Sequence, residues 1–333
     1  MKGKARVCFI GNGEFANKVH YQSLASIDNV EIVGICAFNA DRLKQTALKY
    51  NISTDKIYIS SSKNGYQKML SDLRPDGVYI IGQPEAMFDI WVWCLQQGFN
   101  IFIEKPMGIT LHQSRILTHL AAENSCITQV CHQRRSAPIM ELMKSKCLEK
   151  GAITHAIVEF SKFDIRPMLS ARDRMLDDFT HSIDTARWIG DGEVVKIESS
   201  CKSIGVPDIN WIGATLHFDN GTTCYVVGNW ASGRRIFRVQ LHAPCICVDV
   251  ELEKEGTIYE AGDVQGQKYD TCEVADSEEL FVFGGFRAKS IEFVESIQSG
   301  KEKTSSSFRE TLKTMEVCEK ILAQNLIGDN QTM

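Results

Sequence analysis

The stretch that most constrains the fold is residues 6–16, "RVCFIGNGEFA", in which an apolar run leads directly into a glycine-rich turn. The run reads as a strand, and the pattern G-x-G-x-x-A lies between it and a predicted helix at 14–26. Gly11 allows a tight turn, Gly13 lets the backbone approach a pyrophosphate, and Ala16 permits close packing of the helix on the sheet. The helix N-terminus adds amide groups and the positive end of a helix dipole. The stretch therefore predicts a dinucleotide site, the alternative being a purely structural glycine turn.

Strand-like and helix-like segments alternate from this turn to about residue 130. Such alternation is typical of a parallel sheet with helices on both faces. Beyond residue 150 long runs with a period of two appear, and "DNGT" at 219–222 between two of them is a strong hairpin turn. The predicted fold class is therefore α/β: an N-terminal Rossmann doubly wound parallel sheet (residues 1–130) plus a C-terminal α+β domain (residues 131–333) with a large, mostly antiparallel open sheet.

The composition argues against several classes of protein. The chain has 333 residues and a formal net charge of −5, which is unlike a nucleic-acid-binding protein, because such proteins usually carry a basic domain or stripe. Its most apolar later stretch, residues 91–103, is interrupted by polar residues and glycine, so no transmembrane helix is predicted. The twelve cysteines are scattered and include no C-x-x-C pair. We therefore expect reduced thiols in a cytoplasmic protein, and no metal site, because no Cys/His spacing matches one.

A second constraint comes from residues 101–108, "IFIEKPMG", where a short apolar strand ends in an acidic and a basic residue followed by proline. A central parallel strand accepts charge only at its carboxyl end, where the chain leaves the sheet. Proline at this point ends the strand. Because open α/β sheets bind ligands at the carboxyl ends of their strands, Lys105 is predicted to lie beside the bound ligand. The alternative is a surface ion pair of Glu104 and Lys105.

Several stretches together resemble the glucose–fructose oxidoreductase / inositol dehydrogenase / MocA (Gfo/Idh/MocA) family. These are "GNGEFA" with His20 after it, "GVYIIGQPEAM" followed by a helix and "GFNIFIEKPMG", "VCHQRRSAP" at 130–138, and "LDDFTHSIDTARWIG" at 176–190. The resemblance covers essentially the whole chain. It implies an NAD(P)-dependent oxidoreductase that interconverts a secondary alcohol and a ketone on a sugar, cyclitol or sugar derivative by hydride transfer. It also implies an NAD(P)-binding first domain and a second domain that binds the substrate and forms a homo-oligomer through its sheet.

The resemblance points to three catalytic residues. In the family, Glu-Lys-Pro closes a strand beside the nicotinamide, which implicates Lys105, and the family's D-x-x-x-H-x-x-D pattern matches Asp177, His181 and Asp184. A partly desolvated lysine can donate to a substrate hydroxyl or exchange a proton with it, and histidine suits acceptance of the carbinol proton. Asp177 and His181 are four residues apart on a predicted helix at 175–189, so we expect them to share one face, the alternative being a helix-surface pair. For Asp184 we expect a structural hydrogen bond.

The end of the second predicted strand bears on the choice of cofactor. An acidic residue near Ala37 would bind the adenosine ribose and repel a 2′-phosphate, and none is present. Arg42 lies just downstream and offers positive charge to a phosphate. We therefore predict NADP in preference to NAD, with dual use or NAD as the alternatives. The predicted cofactor-binding residues are Gly11, Asn12, Gly13, Glu14, Phe15, Ala37, Phe38, Asn39, Arg42, Gly82, Gln83, Pro84, Glu104 and Lys105.

Some positions depart from the family pattern. Arg172, Asp173 and Arg174 stand where glycines commonly precede the catalytic aspartate, Phe179 replaces another glycine, and a histidine near the cofactor is absent from residues 83–87. Two alternatives therefore stay open: a glycosidase of the same fold that retains NAD, and a catalytically silent sensor that binds the nicotinamide cofactor. An anionic substrate is expected if at least two of a set of arginines converge on the pocket rather than pairing with acids. The set comprises Arg134, Arg135, Arg166, Arg172 and Arg174.

Overall fold

Six parallel strands form the sheet of the first part of the chain. The structure, a computed structural model, describes residues 3–60, 64–166, 168 and 171–326. The strands pair in the order β3-β2-β1-β4-β5-β6. Successive strands are added on one side of β1 up to β3, and from β4 onward they are added on its other side. This is the doubly wound order of a dinucleotide-binding sheet, and it confirms the predicted fold class. The strands are β1 (Ala5–Ile10), β2 (Val30–Ala37), β3 (Ile57–Ile59), β4 (Gly77–Ile80), β5 (Ile101–Ile103) and β6 (Thr128–Val130).

Helices connect these strands, and their start signals are local. A π-helical turn at Ala16–His20 leads into the first helix. Side-chain oxygens of Asn39 and Thr110 accept hydrogen bonds from the first turns of two later helices, and Pro84 occupies the first turn of another. These are the residue types that favour helix N-termini. The helices are α1 (Tyr21–Ala25), α2 (Ala40–Lys49), α3 (Gly65–Leu73), α4 (Pro84–Gln96) and α5 (Leu111–Glu123).

Eight strands form a second sheet, with the order β14-β13-β12-β11-β7-β10-β9-β8. Only β7 and β10 pair in parallel, so the sheet is mostly antiparallel, as predicted. The β9–β10 hairpin turns at the predicted position, where Gly221 has φ +89°. The strands are β7 (His155–Phe163), β8 (Val194–Lys202), β9 (Trp211–Phe218), β10 (Thr223–Asn229), β11 (Ala231–Ala243), β12 (Ile246–Glu251), β13 (Glu255–Glu260) and β14 (Gln267–Asp270).

One face of the second sheet is covered by helices. Apolar side chains of α6, α8 and α12, among them Met143, Ile183 and Ile321, pack with alternate strand residues in one core. Along β9 every second residue is buried, which is the pattern of a sheet with one covered face. The helices are α6 (Pro138–Lys150), α7 (Ala171–Arg174), α8 (Thr180–Gly190), α9 (Thr271–Ala275), α10 (Leu280–Phe283), α11 (Phe286–Ser299) and α12 (Phe308–Leu326).

The chain forms two compact units whose bounds differ from the predicted domains. The division at residue 130 places all later residues in the second domain, whereas α11 joins the first unit because Phe293 packs on Tyr79 and Phe102, with ring centroids 5.6 and 5.8 Å apart. No helix within the described ranges has both the length and the apolarity needed to cross a membrane. The first unit comprises Met1–His132, Leu280–Val282 and Phe286–Leu312, and the second comprises Gln133–Glu279, Phe283–Gly285 and Lys313–Met333.

Candidate active site

The glycine-rich turn follows β1 in the first unit, and its first glycine has no substitute. Gly11 has φ +112°, a conformation that residues with a side chain rarely adopt. A Cβ atom there would lie 2.0 Å from the carbonyl oxygen of Ile81. The Tyr21 hydroxyl donates to the Gly11 carbonyl at 3.1 Å, and the Gly11 amide donates to the Cys36 carbonyl at 2.9 Å. The turn is therefore held from both sides in one conformation.

The second glycine of the turn faces open space. A Cβ atom added at Gly13 would meet no atom within 4 Å, and Gly13 is exposed. The Asn17 side chain donates to the carbonyls of Asn12 and Gly13 at 3.2 Å each, which orders the start of the helix. Free space beside a glycine at a helix N-terminus is what a pyrophosphate group needs. The turn therefore fits a dinucleotide, with the remaining predicted residues of the turn, Glu14 and Phe15, exposed beside it.

The end of β2 carries no acidic residue, as the sequence indicated. Ala37 is buried, and Phe38 after it is 72% exposed. Asn39 caps α2, since the Arg42 amide donates to its Oδ1 at 2.9 Å. The Asn12 side chain lies 3.5 Å from the Asn39 carbonyl oxygen and links the two turns. The Arg42 side chain is exposed, so this end of the first sheet combines an apolar strand tip with an accessible positive charge.

Two further strand ends lie on the same side of this sheet. Strand β4, adjacent to β1, is followed by Gly82 and Gln83, which are both exposed, and by Pro84 in the first turn of α4. Strand β5, adjacent to β4, ends directly before Glu104 and Lys105. Parallel strands present their carboxyl ends at one edge, so the structure brings the predicted cofactor residues of β1, β2, β4 and β5 to one edge of the first sheet.

Glu104 is buried and contacts a histidine from the helix after the glycine turn. His20 Nε2 lies 2.7 Å from Glu104 Oε1, and the His20 side chain is fully buried. The Lys105 amide donates to Glu104 Oε2 at 3.2 Å. Burial, and after it the charge of Glu104, raises the pKa of the neighbouring Cys131 thiol. The Glu104 carboxylate is therefore part of the interior, whereas Lys105 is only partly buried.

This contact forms a cluster that no sequence spacing indicated. One ligand-type atom from each of His20, Glu104 and Cys131 lies within 4.8 Å of the other two. The residue types suit a metal ion, but the 2.7 Å separation of His20 and Glu104 is that of a hydrogen bond. Two ligands on a tetrahedral zinc ion at the usual bond lengths would lie about 3.4 Å apart. The geometry therefore fits a buried hydrogen-bonded group that holds the backbone at Lys105.

The second unit contains the predicted Asp177–His181 pair. The helical segment begins at Ala171, earlier than predicted, and contains a π-helical turn at Met175–Phe179 before α8 begins at Thr180. Asp177 is exposed and His181 is 7% exposed. The α-helical spacing assumed for the pair therefore does not apply, because a π turn contains more residues than an α turn.

Asp178, which the motif does not include, is the aspartate that anchors this turn. Its Oδ2 lies 2.6 Å from Lys162 Nζ at the end of β7 and accepts a hydrogen bond of 2.8 Å from Trp230 Nε1. Asp184 accepts a hydrogen bond from Arg135 Nε at 2.8 Å and pairs with the same guanidinium through its second oxygen. Both Asp184 and Arg135 are buried. Asp184 thus makes a structural hydrogen bond, whereas the contribution of Asp178 was not visible in the sequence because Lys162, on β7, and Trp230, between β10 and β11, are distant from it in the chain.

Four arginines of the predicted set pair with separate acids rather than converging. Arg166 donates two hydrogen bonds to Asp164, at 2.9 and 2.8 Å, and so holds the pKa of that carboxyl well below its usual range. Arg174 Nε donates to Asp208 at 3.1 Å, and its other nitrogens donate to two backbone carbonyls. The remaining pairs are Arg135 with Asp184 and Arg172 with Glu319. Arg134 differs, since its guanidinium carbon lies 3.8 Å from the ring centroid of Phe237.

Comparison with known proteins agrees with this fold and with a dinucleotide site at the glycine-rich turn. Residues 5–132 match a family model, GFO_IDH_MocA, described as "Oxidoreductase family, NAD-binding Rossmann fold". D-apiose dehydrogenase of Paraburkholderia graminis is 26% identical over 268 residues, which cover 76% of this chain and 67% of that protein.

Solved structures share the fold over nearly the whole chain. A dehydrogenase from Chromobacterium violaceum has a TM-score of 0.84 at 19% identity, covering 98% of this chain and 96% of that chain. An oxidoreductase from Agrobacterium radiobacter, solved in complex with NAD+, L-tartaric acid and magnesium, has a TM-score of 0.78 at 17% identity, covering 98% and 97%. Residues 5–132 thus match the NAD-binding Rossmann model of the Gfo/Idh/MocA family of oxidoreductases, as the motifs predicted, and the chain shares the fold of both solved structures.

Proposed function

We propose that the protein is an NAD(P)-dependent dehydrogenase or reductase that interconverts a secondary alcohol and a ketone on a sugar, cyclitol or related polyol. The observation that carries the proposal is the shared edge of the first sheet, where the Gly11–Gly13 turn and Lys105 follow neighbouring strands. A nicotinamide bound there would accept or supply the hydride. The protein's part is to orient the reactants and to move the proton.

Three side chains are proposed to bind the reacting hydroxyl and to transfer its proton. Lys105 is partly buried, and its backbone is held by the buried Glu104, which favours a fixed hydrogen bond from its ammonium to the substrate hydroxyl. His181 accepts the carbinol proton in oxidation and returns it in reduction, and Asp177, four residues earlier, orients the substrate or the imidazole. Lys105 belongs to the first unit and His181 to the second.

The test is turnover of Lys105→Met. We expect cofactor affinity, measured by quenching of protein fluorescence, to stay near the wild-type value, and kcat to fall by about 10²–10⁴-fold, as is usual on loss of a proton-handling group. Lys301→Met, at an exposed position of the same unit, is the control. Turnover is measured on a panel of polyols, aldoses and sugar acids, with NAD and with NADP. Near-normal turnover of Lys105→Met would remove this lysine from the mechanism.

NADP is the proposed cofactor, with dual use next. Support comes from the apolar tip of β2 at Ala37, from the exposed Arg42 side chain, and from the engagement of the Asn39 side chain in capping α2. A carboxylate that would repel a 2′-phosphate is therefore missing from this tip. Titration of the protein with NADPH and NADH at equal ionic strength is the measurement. If NADH binds tenfold tighter, which corresponds to about 1.4 kcal/mol, the proposal is wrong.

Two rival functions make different predictions. The NAD-retaining glycosidase is not favoured, because the relatives that align over three quarters of this chain are named oxidoreductase or dehydrogenase. The silent sensor is supported by Arg174, which replaces a usual glycine and is buried in a structural hydrogen-bond network. Cofactor binding without turnover of any compound in the panel would favour the sensor.

We also propose a homo-oligomer that forms through the second sheet. Its uncovered face carries partly exposed apolar side chains on adjacent strands, among them Tyr225, which is 45% exposed. A second copy of the chain is the proposed occupant of this face, in line with the family resemblance. Light scattering should give a mass above that of one chain, and Tyr225→Glu should lower it. The cytoplasmic location stays a prediction from the cysteine pattern.

A further inference from the structure

Among the described residues of the second unit, Arg134 is a buried cation that forms no ion pair with a carboxylate. Arg134 is 8% exposed, and its Nη1 is buried with no hydrogen-bond partner among the described residues. The other four arginines of the predicted set each pair with an acid. A buried charge that lacks hydrogen bonds is costly, and proteins normally pair it. Arg134 is therefore an exception that calls for an explanation other than stability.

Two aromatic rings hold the Arg134 guanidinium in place. Its central carbon lies 3.8 Å from the ring centroid of Phe237 and 5.4 Å from that of Phe160. Such contacts attract the cation through the ring faces. Ring faces accept no conventional hydrogen bond in the plane of the guanidinium, and Nη1 is left without a partner among the described residues. The two rings thus orient the planar guanidinium but provide no hydrogen-bond acceptor for Nη1.

A second arginine lies beside the first. Arg235 is also placed over Phe160, with its guanidinium carbon 5.7 Å from the ring centroid. It sits where the pairing of β11 with β7 is interrupted, between Ala231 and Ile236, and such irregularities re-aim side chains. Burial, followed by the charge of Arg235, lowers the pKa of Arg134, although arginine stays charged at neutral pH. The charges of Asp178 and of Glu253, which lies 3.7 Å from Arg235, act on the pKa of Arg134 in the opposite direction.

The two arginines are connected to the proposed catalytic segment through packed side chains. The Phe160 ring lies 6.3 Å from the Trp230 ring, centroid to centroid. Trp230 Nε1 donates to Asp178, which directly follows Asp177 in the π-helical turn. A group bound at Arg134 would thus be connected to the segment carrying Asp177 through Phe160, Trp230 and Asp178.

We infer that Arg134, with Arg235 beside it, forms an oxyanion subsite that takes a carboxylate or phosphoryl group carried by the substrate. The inference rests on the proposed function for its substrate and narrows that substrate to a sugar acid or a sugar phosphate. A planar guanidinium matches both groups through paired N–H donors. The bound anion would supply the acceptor that Arg134 Nη1 lacks and would separate the two like charges.

The test measures anion binding directly, using malonate and inorganic phosphate as probes in calorimetric titrations of the full chain. We expect at least one probe to bind the wild-type protein, and its affinity to fall about 10- to 100-fold in Arg134→Met, the usual loss for a charge-assisted pair. Arg134→Lys keeps the positive charge but loses the paired N–H donors of the guanidinium. Its affinity for the probe should therefore lie between those of the wild-type protein and Arg134→Met. Arg234→Met is the control, because Arg234 is the neighbouring residue, is exposed and pairs with Glu251.

Kinetics separate this inference from the proposed function. We expect Arg134→Met to lower kcat/KM for acidic sugars at least 10-fold more than for neutral ones. Turnover of neutral polyols combined with no binding of either probe would overturn the subsite and leave the dehydrogenase in place. Loss of probe binding in Arg134→Met, in a protein that turns over nothing, would support the subsite and count against the dehydrogenase. Equal binding in wild type and Arg134→Lys and Arg134→Met would overturn the subsite outright.

Discussion

His20 Nε2 lies 2.7 Å from Glu104 Oε1 in the interior of the first unit, although the two residues are 84 positions apart in the chain. Phe15, Phe102 and Phe286 surround the imidazole with edge-on ring contacts. The carboxylate also accepts the Lys105 amide. This single contact therefore links the helix after the glycine turn to the backbone of the proposed catalytic lysine.

The first prediction follows from that contact. Glu104→Ala leaves a buried histidine without its acceptor, so we expect the free energy of unfolding to fall by about 2–3 kcal/mol. Urea unfolding measures the change. Glu295→Ala, at an exposed position of α11, should change the free energy by less than about 0.5 kcal/mol. Equal values for the two variants would show that the His20–Glu104 contact contributes little to stability.

Substitution of the two glycines of the turn should affect different properties, stability for Gly11 and cofactor affinity for Gly13. Gly11→Ala forces a Cβ atom to within 2.0 Å of a backbone oxygen at φ +112°, so we expect a loss of more than about 2 kcal/mol in the free energy of unfolding. Gly13→Val meets open space and should fold with a near-normal melting temperature but bind the cofactor at least about 10-fold more weakly. Thermal unfolding and cofactor titration distinguish the two effects. Normal cofactor affinity in Gly13→Val would argue against a pyrophosphate at this turn.

The Lys162–Asp178 contact should be energetically coupled. Both side chains are largely buried, and Asp178 also accepts from Trp230. A double-mutant cycle with Lys162→Ala and Asp178→Ala should give a coupling energy of about 1–3 kcal/mol. The exposed pair Lys268–Glu255, at 3.0 Å, is the matched control and should give less than about 0.5 kcal/mol. A coupling as small as the control would mean that Asp178 does not anchor the turn carrying Asp177.

His181→Ala, and more mildly Asp177→Asn, should lower turnover by about 10²-fold or more. The base must be unprotonated to accept the carbinol proton, so the variant should also lose or shift the acidic limb of the pH–rate profile for oxidation. Both are measured as kcat/KM against pH. His217→Ala, on β9 and partly exposed, is the control. An unchanged profile in His181→Ala would assign this pair a structural role and strengthen the sensor alternative.

The stacked His155 and His242 rings, with centroids 4.1 Å apart, should make stability depend on pH. Burial and the neighbouring His155 lower the pKa of His242 in the folded protein. The unfolded chain therefore binds more protons below about pH 6.5, so this contribution to stability is complete above that pH and is lost as the pH falls through the folded-state pKa. Urea unfolding at pH 7.5 and 5.5 should show a smaller pH effect in His242→Gln than in wild type. His119→Gln, at an exposed position, is the control. An equal pH effect on the free energy of unfolding in His242→Gln and in wild type would contradict the role of His242.

The sequence by itself determined the local devices of this protein. The hairpin around Gly221 and the caps of α2 and α5 follow from the sterics and hydrogen-bonding of adjacent residues, which act over a few positions. The alternation of apolar runs likewise distinguished the parallel from the antiparallel sheet. These features were predictable because each depends on neighbours along the chain.

Only the tertiary structure decided which distant side chains meet. It brought His20 to Glu104 and Lys162 to Asp178, and it assigned α11 to the first unit. It also distinguished Arg134, held over two rings, from Arg135, which pairs with an acid. Adjacent arginines are equivalent in a sequence pattern, but burial makes the free energy of each depend on the groups packed against it, and these come from strands and helices far away in the chain.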